Sequence, residues 1–259
     1  MSDCKKFKNK KAVLLDLDGT VYAGEAAIPG ASEFVRDCAA RGIRCVFVTN
    51  RANRTPEEVR DQLVSMGIDC RASDIITTAT ATALYVGSGS AYVIGEHGLT
   101  SALEAQGIKI TDKNPDCVIA SLDRFFTYDK LATAASLLEK GAKFIATNLD
   151  ARLKLKDSIM PGSGSIAAAV STASGKTPVV IGKPERHLVE VALKLCGATK
   201  DEALIVGDNI DTDIGAGANA GIETVLLLTG VSTRADAEKS RFKPDAIAED
   251  YAQLSALVF

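Results

Sequence analysis

The sequence predicts an α/β protein in which helices pack on a parallel sheet. Short apolar runs alternate with helical segments along almost the whole 259-residue chain, and such alternation implies right-handed crossovers between parallel strands. Tryptophan is absent and aromatic residues make up 5% of the chain, so Ala, Val, Ile and Leu must build the core. Small aliphatic side chains are typical of parallel strands buried on both faces.

Composition and charge disfavour several classes of protein. The hydrophobic fraction is 46%, the charged fraction is 24%, and the net charge of −3 gives no electrostatic support for binding nucleic acid or a membrane surface. The six cysteines are scattered, which favours reduced thiols over a zinc or disulfide framework. No secretory signal is visible and no apolar run approaches the ~20 residues of a membrane span, so we expect a cytoplasmic protein.

The first part of the chain predicts two strands and two helices. Ala12–Leu15 is a short apolar run of the kind found in buried strands, and Ile43–Val48 is a second one. Ala31–Ala40 is expected to be a helix. The next helix has a strong start signal, with Thr55 as its N-cap and Pro56 at its first position.

The later part of the chain continues the alternation of strands and helices. A helix is expected to begin near Thr100, and another to open after a turn at Pro161–Ser165, whereas Ile159–Pro161 is not expected to be a strand. The further predicted strands are Ala91–Ile94, Cys117–Ala120, Lys143–Ala146, Val179–Ile181, Ala203–Val206, Thr224–Leu228 and Asp245–Ala248.

Two of the later helices have an apolar stripe at helical spacing. One helix ends near Gly141, and its stripe comprises Tyr128, Leu131, Ala135 and Leu138. The other runs from Glu185 to Cys196, and its expected buried face comprises Leu188, Val191, Ala192 and Leu195.

Polar side chains follow four of the predicted strands. These segments are Asp16–Thr20, Thr49-Asn50, Lys183-Pro184 and Gly207–Asp213. Because ligands of open parallel sheets bind beyond the carboxyl ends of the strands, we expect these side chains to share one pocket. Acids, one lysine and small hydrogen-bonding groups suit phosphoryl transfer with a hard divalent cation, which takes carboxylate, phosphate and water oxygens.

These four motifs, in this order, resemble the signature of the haloacid dehalogenase (HAD) superfamily of phosphohydrolases. The resemblance implies a doubly wound parallel-sheet, Rossmann-like core made of residues 1–77 and 183–259. It also implies an inserted α/β cap domain of the C2 type, residues 78–182, which carries substrate specificity.

Within this insertion, Ala146–Asp150 and Pro161–Ser165 resemble segments of the NagD-like branch. That branch includes p-nitrophenyl-phosphate, phosphoglycolate, and sugar or nucleotide phosphatases. Leu149 departs from the pattern of the branch, which commonly has proline at this position. Proline restricts the backbone, and leucine does not do so to the same degree.

The resemblance implies a Mg²⁺-dependent phosphatase that works through an aspartyl-phosphate intermediate. Asp16 is the implied nucleophile, and Asp18 is the implied general acid and then general base. The presence of Asp18 argues against the dehalogenases of the superfamily. Lys183 is implied to compensate negative charge, and Thr49 and the backbone of Asn50 are implied to bind phosphate oxygens.

The implied metal site consists of acids from the first and last motifs. Mg²⁺ is expected to bind the carboxylates of Asp16 and Asp208 and the backbone carbonyl of Asp18. Asp213 is implied to hold a water molecule of the metal. Asp211, by contrast, is expected to lie at an exposed helix start, where acids are favourable.

Residues of the cap are implied to contact the leaving group, and they are Asn148, Asp150 and Arg152. The expected partner is a small phosphorylated metabolite, with no nucleic acid polymer and no membrane. The resemblance leaves open a homodimer formed through the cap. Arg51 and Arg54, which follow the second motif, are either solvated or placed along the path of the substrate.

Other functions are weighed against this one. A phosphotransferase or phosphomutase on the same scaffold stays open, because an aspartyl phosphate can also be passed to an alcohol. A non-catalytic binding protein would be expected to lack one acid or the lysine, and all are present. A nucleotide-binding dehydrogenase is disfavoured because no glycine-rich turn follows the first strand.

Overall fold

The structure, a computed structural model, describes residues 6–154 and 158–259. Cys4 lies outside the described residues, and the five cysteines within them are free. In this part of the chain no helix has the length and apolar character needed to cross a membrane. The cytoplasmic location stays a prediction.

Strands and helices are numbered here in chain order. The strands are β1 (Ala12–Leu15), β2 (Tyr22–Ala23), β3 (Ala26–Ala27), β4 (Arg44–Thr49), β5 (Ile75–Thr77), β6 (Ser90–Ile94), β7 (Lys109–Ile110), β8 (Cys117–Ala120), β9 (Lys143–Ala146), β10 (Arg152–Lys154), β11 (Ile159–Pro161), β12 (Val179–Val180), β13 (Ala203–Gly207), β14 (Glu223–Leu227) and β15 (Ala246–Ala248). The α-helices are α1 (Ala31–Ala40), α2 (Pro56–Ser65), α3 (Thr78–Val86), α4 (His97–Ala105), α5 (Tyr128–Glu139), α6 (Ser163–Ser174), α7 (His187–Cys196), α8 (Gly215–Ala220), α9 (Arg234–Lys239) and α10 (Tyr251–Val258). A short 3₁₀ helix spans Ala72–Asp74, and a π-helical turn spans Ile210–Ile214.

The chain folds into two compact units. The first comprises Met1–Thr49, Pro56–Ile76 and Lys183–Phe259, and the second comprises Asn50–Thr55 and Thr77–Gly182. The short segment Asn50–Thr55 therefore groups with the second unit, although its chain neighbours on both sides belong to the first.

The first unit is built on a six-stranded sheet in the order β15-β14-β13-β1-β4-β5. The ladders from β15 through β13 and β1 to β4 are parallel. Counted along the chain, this is the 3-2-1-4-5-6 order of doubly wound folds, with the order reversing between β1 and β13. The predicted α/β class and doubly wound core are confirmed.

Apolar side chains explain why these segments form the sheet and its covering helices. All four residues of β1 are fully buried, as expected for a central parallel strand. One face of the sheet packs against α1, α2 and α10 through Phe34, Leu63 and Tyr251. A smaller cluster around Ile214 and Leu226 packs elsewhere in this unit.

The second unit has its own parallel sheet, in the order β12-β9-β8-β6-β7. Counted along the chain, this is the 2-1-3-4-5 order, the other common doubly wound arrangement. Its core joins strand residues such as Val118 and Ala146 to Leu138 of α5 and Val170 of α6. A separate antiparallel pair is formed by β10 and β11.

The existence of one strand and the start of one helix differ clearly from the sequence-based expectations. Ile159–Pro161 is a strand that pairs with Arg152–Lys154, so the expectation that it is not a strand was wrong. A three-residue strand is too short for a periodic pattern, and its pairing is a tertiary property. Helix α4 begins at His97, earlier than the Thr100 expected.

The buried faces of two helices were also predicted wrongly in part. Tyr128 begins α5 but its side chain is 82% exposed. Leu195 of α7 is exposed, and the buried positions of that helix are Leu188, Val189, Ala192 and Leu193. The predicted and the observed buried sets of α7 both contain Leu188 and Ala192. The observed apolar stripe is therefore rotated about the helix axis, toward the side on which neighbouring elements pack.

Candidate active site

Two aspartates leave neighbouring central strands of the first unit at the point where the strand order reverses. Asp16 follows β1 and Asp208 follows β13, and these strands pair in parallel with Leu15 opposite Val206. The backbone N–H of Asp16 donates to the carbonyl of Val206 at 3.0 Å. Because the carboxyl ends of parallel strands share one edge of the sheet, the topology itself brings the two acids together.

A third acid completes a buried triad. Asp213 lies in the π-helical turn, and its Oδ2 atom accepts a hydrogen bond from the backbone N–H of Asn209 at 3.0 Å. One carboxylate oxygen from each of Asp16, Asp208 and Asp213 lies within 4.8 Å of the others, and all three residues are buried. Asp211 of the same turn is exposed, which agrees with its predicted place at a helix start.

Lys183 lies between two of these carboxylates. Its Nζ atom is 2.5 Å from Oδ1 of Asp16 and 2.6 Å from Oδ1 of Asp213, and it also donates to the carbonyl of Val48 at 3.3 Å. The side chain is only 2% exposed. Three donors on the ammonium are therefore matched by three protein acceptors, so the protein fixes the geometry of this charge.

The charges shift one another's pKa values. Burial raises the pKa of Asp16 well above its usual value, and Asp213 and Asp208 raise it further against the opposing effect of Lys183. Burial, with help from Asp213, raises the pKa of Asp208 to about 6. Burial works against the charged ammonium of Lys183, but Asp16 and Asp213 outweigh it and raise its pKa.

One lysine lies among three buried carboxylates, so its single positive charge cannot balance three negative charges. A divalent cation among the three oxygens would supply the missing positive charge, and carboxylate oxygens are the ligands that hard cations prefer. The residues of the triad therefore fit a bound metal ion.

Glycines make the space for two of the acids. A Cβ atom on Gly230 would lie 2.0 Å from Oδ2 of Asp208, and one on Gly19 would lie 2.4 Å from the same oxygen. Gly19 also has φ +86°, which L-residues rarely adopt. A Cβ atom on Gly207 would lie 2.3 Å from Asp213. The close approach of backbone to both carboxylates thus depends on these positions.

The other acid of the first motif has a different environment. Asp18 is exposed, and its Oδ2 atom accepts a hydrogen bond from the hydroxyl of Tyr22 at 3.3 Å. The carboxylate is not part of the buried triad. An exposed acid next to a buried one can exchange protons with a substrate or with water, whereas Asp16 is held by Lys183. Thr49, the last residue of β4, is 3% exposed at the same edge of the sheet.

Three of the predicted residues in the second unit are joined by hydrogen bonds. The amide Nδ2 of Asn50 donates to Oδ2 of Asp150 at 3.1 Å, and Nδ2 of Asn148 donates to the carbonyl of Asn50 at 2.7 Å. Arg152 lies in β10 with an exposed side chain. The structure thus brings Asn50, Asn148 and Asp150 together and places Arg152 on the surface of a strand.

Sequence reasoning missed the loop that follows β14. The backbone N–H of Val231 donates to Oδ2 of Asp208 at 2.7 Å, and the hydroxyl of Ser232 accepts from the N–H of Ile210 at 2.9 Å. Thr20 also donates to Oδ1 of Asp208 at 3.3 Å. The loop follows β14, which lies next to β13, and it therefore leaves the sheet at the same edge as Asp208. The strand order is thus the feature that points to this loop.

Fold and site together define an enzyme class. A fixed ammonium next to a carboxylate, together with a triad that could hold a cation, can offset the charge of a phosphoryl group. Phosphoryl transfer is catalysed mainly by such positioning and electrostatic stabilisation. The class is that of phosphoryl-transfer enzymes with a doubly wound core.

Comparison with known proteins gives the family. A model of haloacid dehalogenase-like hydrolases matches residues 13–109, and a HAD-hydrolase-like model matches residues 180–254. The chain is similar to the 5'-nucleotidase YutF of Bacillus subtilis, with 41% identity over 93% of this chain and 98% of that protein. It is also similar to an acid sugar phosphatase of Staphylococcus saprophyticus, with 40% identity over 94% of this chain and 96% of that protein. The chain belongs to the haloacid dehalogenase-like hydrolases.

Solved structures agree with this assignment. NagD from Escherichia coli K-12 is 36% identical with a TM-score of 0.90, covering 96% of this chain and 99% of that one. A single mutant of the thermostable NPPase from Geobacillus stearothermophilus is 41% identical with a TM-score of 0.88, covering 94% and 97%. The predicted membership of the HAD superfamily and its NagD-like branch is confirmed, and the chain is an enzyme of that family.

Proposed function

We propose that the protein is a Mg²⁺-dependent phosphatase that hydrolyses phosphate monoesters of small metabolites through an aspartyl phosphate on Asp16. The observation that carries this proposal is the pairing of Asp16 with the buried Lys183, beside a triad that fits a cation. The names of the relatives support the substrate class, since they include a 5'-nucleotidase and acid sugar phosphatases. Sugar phosphates, nucleoside monophosphates and phosphoglycolate are the candidate substrates.

The metal ion would be held by oxygens at the carboxyl edge of the first sheet. We assign it to the carboxylates of Asp16 and Asp208 and the backbone carbonyl of Asp18, with Asp213 orienting a water molecule nearby. Mg²⁺ suits such a site because it binds few carboxylates and completes its shell with water and phosphate oxygens. When bound, the ion neutralises negative charge on the phosphoryl oxygens.

Two displacements at phosphorus complete the reaction. In the first, a carboxylate oxygen of Asp16 bonds to phosphorus, the ester P–O bond breaks, and Asp18 gives its proton to the departing oxygen. In the second, Asp18 takes a proton from a water molecule as that water bonds to phosphorus. The bond from phosphorus to Asp16 then breaks, so inorganic phosphate leaves and both carboxyl groups return to their initial state.

The remaining residues hold the phosphoryl group while it is transferred. Lys183 stays charged because Asp16 and Asp213 raise its pKa, so it offsets the charge that builds up near Asp16. We assign the binding of phosphoryl oxygens to the Thr49 hydroxyl and the backbone N–H of Asn50. Donors that are fixed before the reaction cost no reorganisation during it.

We further propose that the second unit acts as the cap domain and determines specificity. Of the three residues that the sequence assigns to the leaving group, Arg152 is the one with an exposed, charged side chain. It is therefore our candidate for direct contact with that group.

Phosphate release from a panel of substrates tests the proposed function. The panel contains p-nitrophenyl phosphate, a nucleoside 5'-monophosphate, a hexose phosphate and phosphoglycolate, each with and without Mg²⁺. We expect turnover that requires Mg²⁺ and disappears in Asp16→Asn, with the fold of that variant intact. Turnover by Asp16→Asn at the normal rate contradicts the mechanism, and transfer to an added alcohol in place of phosphate release identifies a phosphotransferase instead.

A further inference from the structure

Asn50 is held by three side chains of the second unit. Its carbonyl accepts from Nδ2 of Asn148 at 2.7 Å and from the hydroxyl of Thr78 at 2.8 Å. Its own side-chain amide donates to Oδ2 of Asp150 at 3.1 Å. The carbonyl and the side-chain amide of Asn50 are thus both held by hydrogen bonds.

The loop that supplies two of these side chains is itself held in place. The Oδ1 atom of Asn148 accepts from the backbone N–H of Asp150 at 3.0 Å, and Asn148 is only 4% exposed. The N–H of Gly164 donates to the carbonyl of Asp150 at 3.0 Å, and the N–H of Gly162 donates to the carbonyl of Ala151 at 2.9 Å.

Three glycines permit this close packing. A Cβ atom on Gly164 would lie 2.2 Å from the carbonyl oxygen of Leu149, and one on Gly162 would lie 2.1 Å from that of Asp150. A Cβ atom on Gly182 would lie 2.6 Å from Oδ1 of Asn50. The two glycines before and in α6 therefore have a structural explanation, which is the backbone approach of this loop.

We infer that Asn148 and Asp150 are positioning residues, which hold Asn50, the proposed backbone donor to the phosphoryl group, and do not contact the leaving group. The polar atoms of Asn148 are engaged on both sides of its amide, and the residue is buried. Asp150 directs a carboxylate oxygen at Asn50. This inference rests on the proposed function, because it assigns the Asn50 N–H to phosphoryl binding.

The inference separates two kinds of variant. The phosphoryl group is common to every substrate, whereas the leaving group differs between them. A residue that positions a phosphoryl-binding donor therefore changes all substrates by one factor, and a residue that contacts the leaving group changes their ranking. Inorganic phosphate has no leaving group, so its inhibition of the enzyme reports only on residues that position the phosphoryl-binding donor.

The experiment compares Asn148→Ala with Arg152→Ala on p-nitrophenyl phosphate, a nucleoside 5'-monophosphate and a hexose phosphate. We expect Asn148→Ala to lower kcat/KM about tenfold for each of them, which is the order of magnitude for a lost hydrogen bond to a buried group. It should also raise the inhibition constant of inorganic phosphate. Arg152→Ala should change the ranking of the substrates and leave phosphate inhibition as it was.

Thr78→Val provides a second variant that keeps the volume of the side chain. Thr78 is fully buried and donates to the same carbonyl of Asn50, so we expect the pattern of Asn148→Ala. Thr172→Val, at an exposed position of α6, is the matched control and should leave all constants unchanged. If Asn148→Ala does not fold, as judged by its unfolding transition, Thr78→Val tests the inference alone.

The outcomes decide between the inference and the proposed function. Unchanged kinetics, unchanged phosphate inhibition, or a substrate ranking altered by Asn148→Ala would each overturn the positioning role while leaving the phosphatase function intact. A wild-type protein without phosphatase activity would overturn the proposed function itself.

Discussion

Removal of the buried ammonium is the perturbation for which the structure gives the clearest expectation. Lys183→Met keeps most of the side-chain stem but leaves Asp16 and Asp213, each within 2.6 Å of the ammonium in the native protein, without their common cation. The Asp208 carboxylate lies in the same group of oxygens. Three acids would then share a buried site without the ammonium that pairs with two of them.

The expected cost is large and depends on pH. Removing one partner of a buried ion pair costs about 3–5 kcal/mol, since the other charge stays buried and unpaired. The raised pKa of Lys183 places its stabilising contribution below its usual pKa of 10.5, so this contribution is fully present at neutral pH and is lost as pH rises through the folded-state value. As pH falls, protonation of the acids reduces their mutual repulsion, so the variant loses less stability relative to the wild type.

Urea unfolding of the metal-free protein measures this effect. We expect Lys183→Met to lose about 3–5 kcal/mol near pH 7.5 and less near pH 5. Added Mg²⁺ should restore part of the loss. Lys194→Met, at an exposed position of α7, is the control and should change stability by less than about 0.5 kcal/mol. A loss near zero, or one that does not shrink on acidification, would refute the electrostatic account of this site.

Further predictions concern the metal site and the cap. Gly230→Ala should weaken Mg²⁺ binding at least tenfold by calorimetry, because its Cβ would lie 2.0 Å from Asp208; unchanged affinity would exclude Asp208 as a ligand. Mg²⁺ affinity should fall below about pH 6, since burial raises the pKa of Asp208 to about 6 and a ligand must be deprotonated. Because this pKa is raised, the folded metal-free protein binds the proton of Asp208 more tightly than the unfolded chain does. The stability of the metal-free protein should therefore decrease as pH rises from 3.8 to about 6. Leu149→Pro should alter substrate ranking more than phosphate inhibition, and equal effects on both would place Leu149 with the positioning residues.

Much of the fold follows from patterns that are local in the sequence. The apolar run Ala12–Leu15 and the helix Ala31–Ala40 have in the structure the bounds that the sequence predicts. Both are specified by hydrophobic period and by neighbouring turn residues. The face of α7 was predicted less well, because Leu188 and Ala192 are compatible with two stripes and only the neighbouring elements select the one with Val189 and Leu193.

Some features of the candidate site could likewise be predicted from the sequence, and others could not. That Asp16 and Asp208 follow buried strands could be predicted, because polar residues after apolar runs are visible in the sequence. Lys183 follows β12, a strand of the other sheet, so its place beside Asp16 does not follow from a shared sheet edge. The second partner of Lys183, which is Asp213, and the contact of Asn148 with Asn50 could not be predicted. They depend on the π-helical turn and on a loop packed by glycines, which are tertiary features without a periodic signal.

Trapping of the covalent intermediate tests the central claim most directly. The wild-type protein is mixed with p-nitrophenyl phosphate and Mg²⁺, quenched in acid during turnover, digested, and analysed by mass spectrometry. The account predicts a phosphoryl group on the peptide that contains Asp16, located on that residue by fragmentation and absent from Asp16→Asn. Rapid phosphate release with Asp16 unmodified at every quench time, together with turnover by Asp16→Asn, would contradict it.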